Sequence, residues 1–203
     1  MWALVEDNVI VKIINQPKGM IIGNTRYSKN IFSFRWTNEE REAIGLYEVV
    51  FDNANKQDEQ WYINTNQTFA FADDTVTASY GSATPKAHAD TLWTAQDETD
   101  GKGTEGEVAT RGLKYNLIQN LKKQVKTELL KTDWYITRNT EKSTAIPSAI
   151  STHRDAVRTK QAEMETAITN ASDTPALETL YTYTKQDDGS VTRPLGELPT
   201  LEI

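Results

Sequence analysis

LLKTDWYITRNTEKSTAIPSAISTHRDAVRTKQAEMETAI, residues 129–168, is the stretch whose reading decides the fold. A helix ends over Leu129–Trp134, residues 137–145 read as a polar loop, and Pro147 opens a second long helix, because its fixed φ and missing N–H suit a first turn. Ile150, Val157, Met164 and Ala171 recur at a spacing of seven, with Ala149, Ala156 and Ile168 beside them. Upstream, Leu113, Leu117, Leu121, Val125 and Leu129 recur every four residues, Ile118 widens the stripe, and Lys114, Lys122, Lys123 and Lys126 occupy the other face. Both patterns are helical, so the stretch predicts an antiparallel helical hairpin with Trp134 as an aromatic plug near its turn. Asp133 is placed to cap or pair locally. A strict four-residue spacing drifts around a helix, so this stripe predicts a buried face and not a coiled-coil seam.

Outward from the hairpin, Ser172-Asp173-Thr174-Pro175 opens a last short helix to about Tyr183, and residues 187–203 read as an extended tail. The chain before the hairpin has another character. Trp2–Val5 and Val9–Ile14 are apolar and β-branched around the turn Glu6-Asp7-Asn8, which predicts a β-hairpin. Met20–Ile22 predicts a short strand turning at Gly23-Asn24, and Ile31–Phe34 another strand. Thr37-Asn38-Glu39-Glu40 is a capping-box pattern with Trp36 placed as its staple, and Gly45 supplies a left-handed end before the strand Leu46–Phe51. Gln60–Tyr80 alternates as a three-stranded meander, with turns at residues 64–67 and 73–74.

The resulting class is α+β: a small antiparallel β-rich domain with one short helix over residues 1–85, an acidic glycine-containing linker over 86–107, a helical hairpin domain over 108–186 and an extended tail. The linker assignment rests on Asp97–Glu107 (DETDGKGTEGE). It has three glycines and five acids without an apolar residue, and so little to bury against the entropy of ordering it.

Composition narrows the function. A net charge of −7 from 29 acidic and 22 basic residues, with no basic tract, leaves nucleic-acid binding no obvious source of phosphate neutralisation. Cysteine is absent, which excludes disulfides and thiol catalysis and suits a reducing compartment. His88 and His153 are too far apart in sequence to read as a metal pair. Residues 52–60 (DNANKQDEQ) carry acids and amides, but Gln57 stands where a calcium loop needs glycine. The N-terminus lacks a secretory pattern, and no apolar run is long enough to cross a bilayer. His153-Arg154-Asp155 spells the opening of a kinase catalytic loop but lies in a helix, without a glycine-rich phosphate loop. No set of acid, base and nucleophile emerges. The expectation is a non-enzymatic protein with no metal, no cofactor, no nucleic acid and no membrane. Its five tryptophans, at 2, 36, 61, 93 and 134, are scattered like core residues, with exposed carbohydrate platforms as the competing reading.

The segment from Leu129 to Met164 resembles the tail-fibre assembly (tail assembly chaperone) family of tailed bacteriophages. The resemblance is carried by Leu129-Leu130, Thr132-Asp133-Trp134, the polar gap ending in Ile146-Pro147, and the helix with His153-Arg154-Asp155-Ala156-Val157-Arg158. Trp36–Val50 (WTNEEREAIGLYEVV) is similar to a short element of phage tail and fibre-associated proteins. The two patches cover about 50 of the 203 residues. The gap after Trp134 lacks the family's Pro/Asp-rich sequence, and about 35 residues follow the second helix. The resemblance implies an adaptor in the virion tail or baseplate that contacts tail-fibre or baseplate proteins within an oligomeric assembly. The alternatives are a transient chaperone in the host cytoplasm and a carbohydrate-binding receptor module. It places the protein contacts on Trp134, Asp133, Arg154 and Arg158.

Overall fold

The computed structural model describes residues Met1–Leu201, and the last two residues of the expected tail, Glu202 and Ile203, lie outside the described residues. The chain forms two compact units, Met1–Thr84 and Pro85–Ile203, and its class is α+β.

In the first unit the chain runs through β1 (Trp2–Glu6), β2 (Val9–Ile14), β3 (Met20–Ile22), β4 (Thr25–Tyr27), a 3-10 turn (Lys29–Phe32), α1 (Asn38–Glu42), β5 (Leu46–Asp52), β6 (Tyr62–Ile63), β7 (Thr68–Ala72) and β8 (Thr75–Ser79), with β9 (Thr84–Pro85) at its end. The main sheet has the order β2-β1-β5-β8-β7. The expected hairpin is present, with Asp7 and Asn8 both at positive φ, as a tight turn between right-twisted strands requires. Alternation lets β1 serve both faces of the sheet. Ala3 and Val5 face Val49, Val76 and Ala78, while Leu4 faces Ile14, Met20, Ile31 and Leu46. One strand thus holds two cores.

Three expectations are corrected in this unit. The sheet is not wholly antiparallel: β5 pairs parallel with β8. The meander reduces to the β7–β8 hairpin, turning at Asp73 and Asp74 with positive φ, and β6 lies outside that sheet. Residues 31–34 are a 3-10 turn and its exit, not a strand. The reason is Arg41, buried in α1, whose guanidinium donates to the Ile31 carbonyl at 2.8 Å and the Ser33 carbonyl at 2.6 Å and lies 4.7 Å from the Trp2 ring. Carbonyls taken by a side chain have no need of a strand partner. The capping box forms as read: Thr37 Oγ1 accepts from Glu40 N–H, and Glu40 Oε2 accepts from Thr37 N–H at 2.8 Å. Trp36 packs edge-on against Tyr27.

In the second unit, β10 (Thr91–Leu92) and β11 (Val108–Thr110) pair around α2 (Ala95–Thr99). Then come α3 (Leu113–Leu130), α4 (Asp133–Lys142), α5 (Ser148–Asn170), α6 (Thr174–Tyr181) and the strand pair β12 (Thr184–Lys185) and β13 (Val191–Thr192). The acidic stretch is therefore part of a folded unit and not an unstructured linker. Its acids act locally. Asp97 caps α2 by accepting from the Thr94 side chain and backbone and pairs with Lys102, which together push its pKa down to about 2. Asp90 accepts from Gly112 N–H and Arg111, and both hold its carboxyl below the usual aspartate value. Gly103 lies flat against the Trp93 ring, where a Cβ would come within 2.2 Å of the indole nitrogen. Polar bonds and one aromatic replace the apolar burial that the composition lacks.

Helices α3 and α5 run antiparallel, since Lys114 at the start of α3 bonds the Thr169 carbonyl near the end of α5, and Arg154 early in α5 bonds Leu129 near the end of α3. Ile150, Val157, Met164, Ile168 and Ala171 are buried against this face, and Ala149 and Ala156 are exposed. The tail is docked through Leu195, which is buried and donates its N–H to the Leu180 carbonyl at 3.0 Å. Gly45 has φ +78°, and a Cβ there would meet the Val5 carbonyl oxygen at 2.4 Å. Gly45→Ala is expected to cost about 2 kcal/mol or more from left-handed strain and that clash together, read as a lower urea midpoint for the first unit.

Candidate interaction site at the hairpin corner

The site is built where α3 stops. Five residues spaced by four drift by about 40° per step on a 3.6-residue helix. Leu117, Leu121 and Val125 are buried, while Leu129 has turned partly out and Glu128 takes the inward position. The last carbonyls of α3 have no partners within the helix. Leu129 O accepts from Thr132 N–H at 3.1 Å, from Thr132 Oγ1–H at 3.0 Å and from Arg154 at 2.9 Å.

Arg154 is 8% exposed. The same Nη1 also donates to Thr132 Oγ1 at 2.7 Å and to Asp133 Oδ1 at 2.8 Å. Arg154 is thus a buried cation satisfied by a helix C-terminus, a hydroxyl and a carboxylate, a set that both the helix dipole and the ion pair favour. Thr132 is fully buried between them. Asp133 opens α4 and faces the N-terminal dipole of that helix as well as Arg154.

Helix α4 overturns the polar loop expected over residues 137–145, since it runs to Lys142 and closes at Ser143 with φ +53°. Asp133 starts a new helix with only Lys131 and Thr132 between it and the old one. Only the residues from Ser143 to Pro147 remain as the connection.

Trp134 is not the plug of the hairpin. It is 50% exposed, packs on Tyr135 with ring centroids 3.7 Å apart, and carries the Arg138 guanidinium 4.7 Å from its ring. Arg138 also lies over Tyr135 at 5.5 Å, and its Nε is buried with no hydrogen-bond partner among the described residues. Leu130 and Ile136 are exposed nearby. The residues that meet at the corner are Arg154, Thr132 and Asp133.

Of the four expected residues, Asp133 and Arg154 meet directly, Trp134 is presented beside them, and Arg158 stands apart on the surface, paired with Asp155 at 3.2 Å. The sequence reading missed Arg138 and the Glu128–His153 pair. Arg138 was findable as the residue four after Trp134 on a helix, where a cation covers a ring. Glu128 follows from the drift of the leucines. His153 is buried, with Nε2 3.3 Å from Glu128 Oε1 and without hydrogen-bond alignment.

Among the described residues no group of three His, Asp or Glu side chains is close enough to hold a metal ion, and no helix is long and apolar enough to cross a membrane. No protein-family model matches the chain, and neither a curated protein nor a solved structure matches it.

Arg154→Ala takes away one of three donors to the Leu129 carbonyl, the donor to the buried Thr132 hydroxyl and the ion partner of Asp133 and is expected to cost about 3 kcal/mol, whereas the exposed Arg158→Ala changes stability by less than about 0.5 kcal/mol; urea unfolding of the two variants checks the contrast. The Glu128 carboxyl is held below the ordinary glutamate value by the hydrogen bond from Lys131, against burial and with help from His153. A carboxyl with a depressed folded pKa stabilises the fold above the ordinary glutamate range, and that contribution is lost as pH falls through the folded value. Glu128→Gln is expected to flatten the acid limb of stability against pH, measured by thermal melts from neutral pH downward.

Proposed function

We propose that this chain is a non-enzymatic bacteriophage tail protein, an adaptor in the virion tail or baseplate that acts by protein–protein contact in tail-fibre attachment and assembly. The observation that carries the reading is the division of labour within the resembling motif. Thr132, Asp133 and Arg154 are spent on one another, and the corner they fix holds the helix from which Trp134 stays half exposed. Ordered, exposed tryptophan under a guanidinium is the chemistry of interface hot spots. Arg154 and Asp133 act in this reading as supports, Trp134 and Arg138 as contacts, and Arg158 as a peripheral charge. The partners are tail-fibre or baseplate proteins, and the setting is an oligomeric assembly in the virion tail.

Trp134→Ala leaves the Arg154 network in place. It is expected to lower capture of a co-expressed fibre or baseplate subunit about tenfold or more with unchanged helicity by circular dichroism. Capture equal to that of the unaltered protein removes Trp134 from the contact. Mass spectrometry of purified particles separates the roles. Stoichiometric presence identifies a resident tail component; absence from particles with co-purification of a fibre protein from infected cells identifies a transient assembly chaperone. Absence from both overturns the tail assignment.

A further inference from the structure

Charge along the first unit is strongly uneven. Between Asp7 and Glu39 the sequence has no acidic residue and five basic ones, Lys12, Lys18, Arg26, Lys29 and Arg35, in a chain of net charge −7. The fold gathers three of them. Lys12 from β2, Lys18 from the β2–β3 connection and Arg26 from β4 line an open pocket of about 560 Å³, together with Gly19, Met20 and Ile21. A second depression of about 290 Å³ shares Lys18 and runs along the end of β2. Arg111, Lys131, Arg154, Arg158, Lys160 and Arg193 elsewhere in the chain lie within ion-pair distance of a carboxylate. Lys12, Lys18 and Arg26 form no ion pair among the described residues.

We infer that this pocket is an anion site for a phosphate group of two or more negative charges carried on a small organic body. Three unpaired cations from three segments raise the local potential, and a concave wall focuses it. A monocarboxylate would leave most of that charge uncompensated, while a phosphate monoester or a pyrophosphate, with about two charges and several acceptor oxygens, matches it. The planar Arg26 guanidinium grips two oxygens at once, and the two ammonium groups act as point charges. Met20 and Ile21 give the organic part an apolar wall, and the volume suits a ligand of sugar size. The phosphate is supplied either by a free small molecule or by the same group displayed on a lipid headgroup. The pocket belongs to the unit that does not contain the hairpin, and its ligand is independent of the tail role.

Calorimetric titration of the full chain with inorganic pyrophosphate at low ionic strength tests the site. The expected result is saturable binding of one equivalent. Lys18→Gln with Arg26→Gln should weaken it at least about tenfold, while the equal charge change Lys29→Gln with Arg35→Gln, outside the pocket, should change it less than about twofold. All four side chains are exposed, and near-ultraviolet circular dichroism verifies folding of both variants. No saturable heat, or equal weakening in the two variants, overturns the site. Sedimentation with phosphatidic acid vesicles assigns the source: sedimentation that pyrophosphate abolishes supports the site and places its ligand on a lipid surface, and pyrophosphate binding without sedimentation supports the site and places it on a soluble molecule.

Discussion

A single buried guanidinium sets the geometry of the second unit. Arg154 sits early in α5 and ends on the carbonyl end of α3, on Thr132 and on Asp133. A buried cation is stable only if partnered, so the chain leaving α3 must return a hydroxyl and a carboxylate to it. That requirement fixes the corner between α3 and α4, the register of α3 against α5, and the direction in which α4 departs.

The first unit holds its own irregular backbone in a similar way. Arg41 satisfies the carbonyls of a 3-10 turn that no strand reaches and covers Trp2. Around α2, acidic side chains do comparable work, with Asp97 and Asp90 capping backbone N–H groups. In each case a polar side chain closes a turn whose backbone groups lack secondary-structure partners. A chain only 37% apolar can fold with modest cores because much of its charge is directed inward or along its own backbone.

The two surfaces of functional interest arise by opposite routes. At the hairpin, charges are neutralised by one another and an aromatic is left facing solvent. At the basic pocket, the absence of acids over thirty residues leaves the cations without internal partners, and the strands of the first unit bring three of them to one wall. In the readings proposed above, the first surface takes a protein partner and the second a compact polyanion.

The sequence by itself determined the local elements: the β1–β2 turn, the capping box at Thr37, the left-handed Gly45, and the two long helices with the seven-residue stripe from Ile150 to Ala171. These depend on backbone preference and on periodicity within one segment, and both are written in neighbouring residues. Only the family resemblance grouped Asp133, Trp134, Arg154 and Arg158. Only the tertiary structure decided what each does, which acids would order residues 90–107, that β5 and β8 pair in parallel, that residues 137–142 are helical, and that three lysine and arginine side chains share a pocket. Those outcomes rest on contacts between residues as far apart as Leu129 and Arg154, or Lys86 and Thr174. The free energy of a buried polar contact depends on what else reaches the same point in space, and that cannot be read from spacing along the chain.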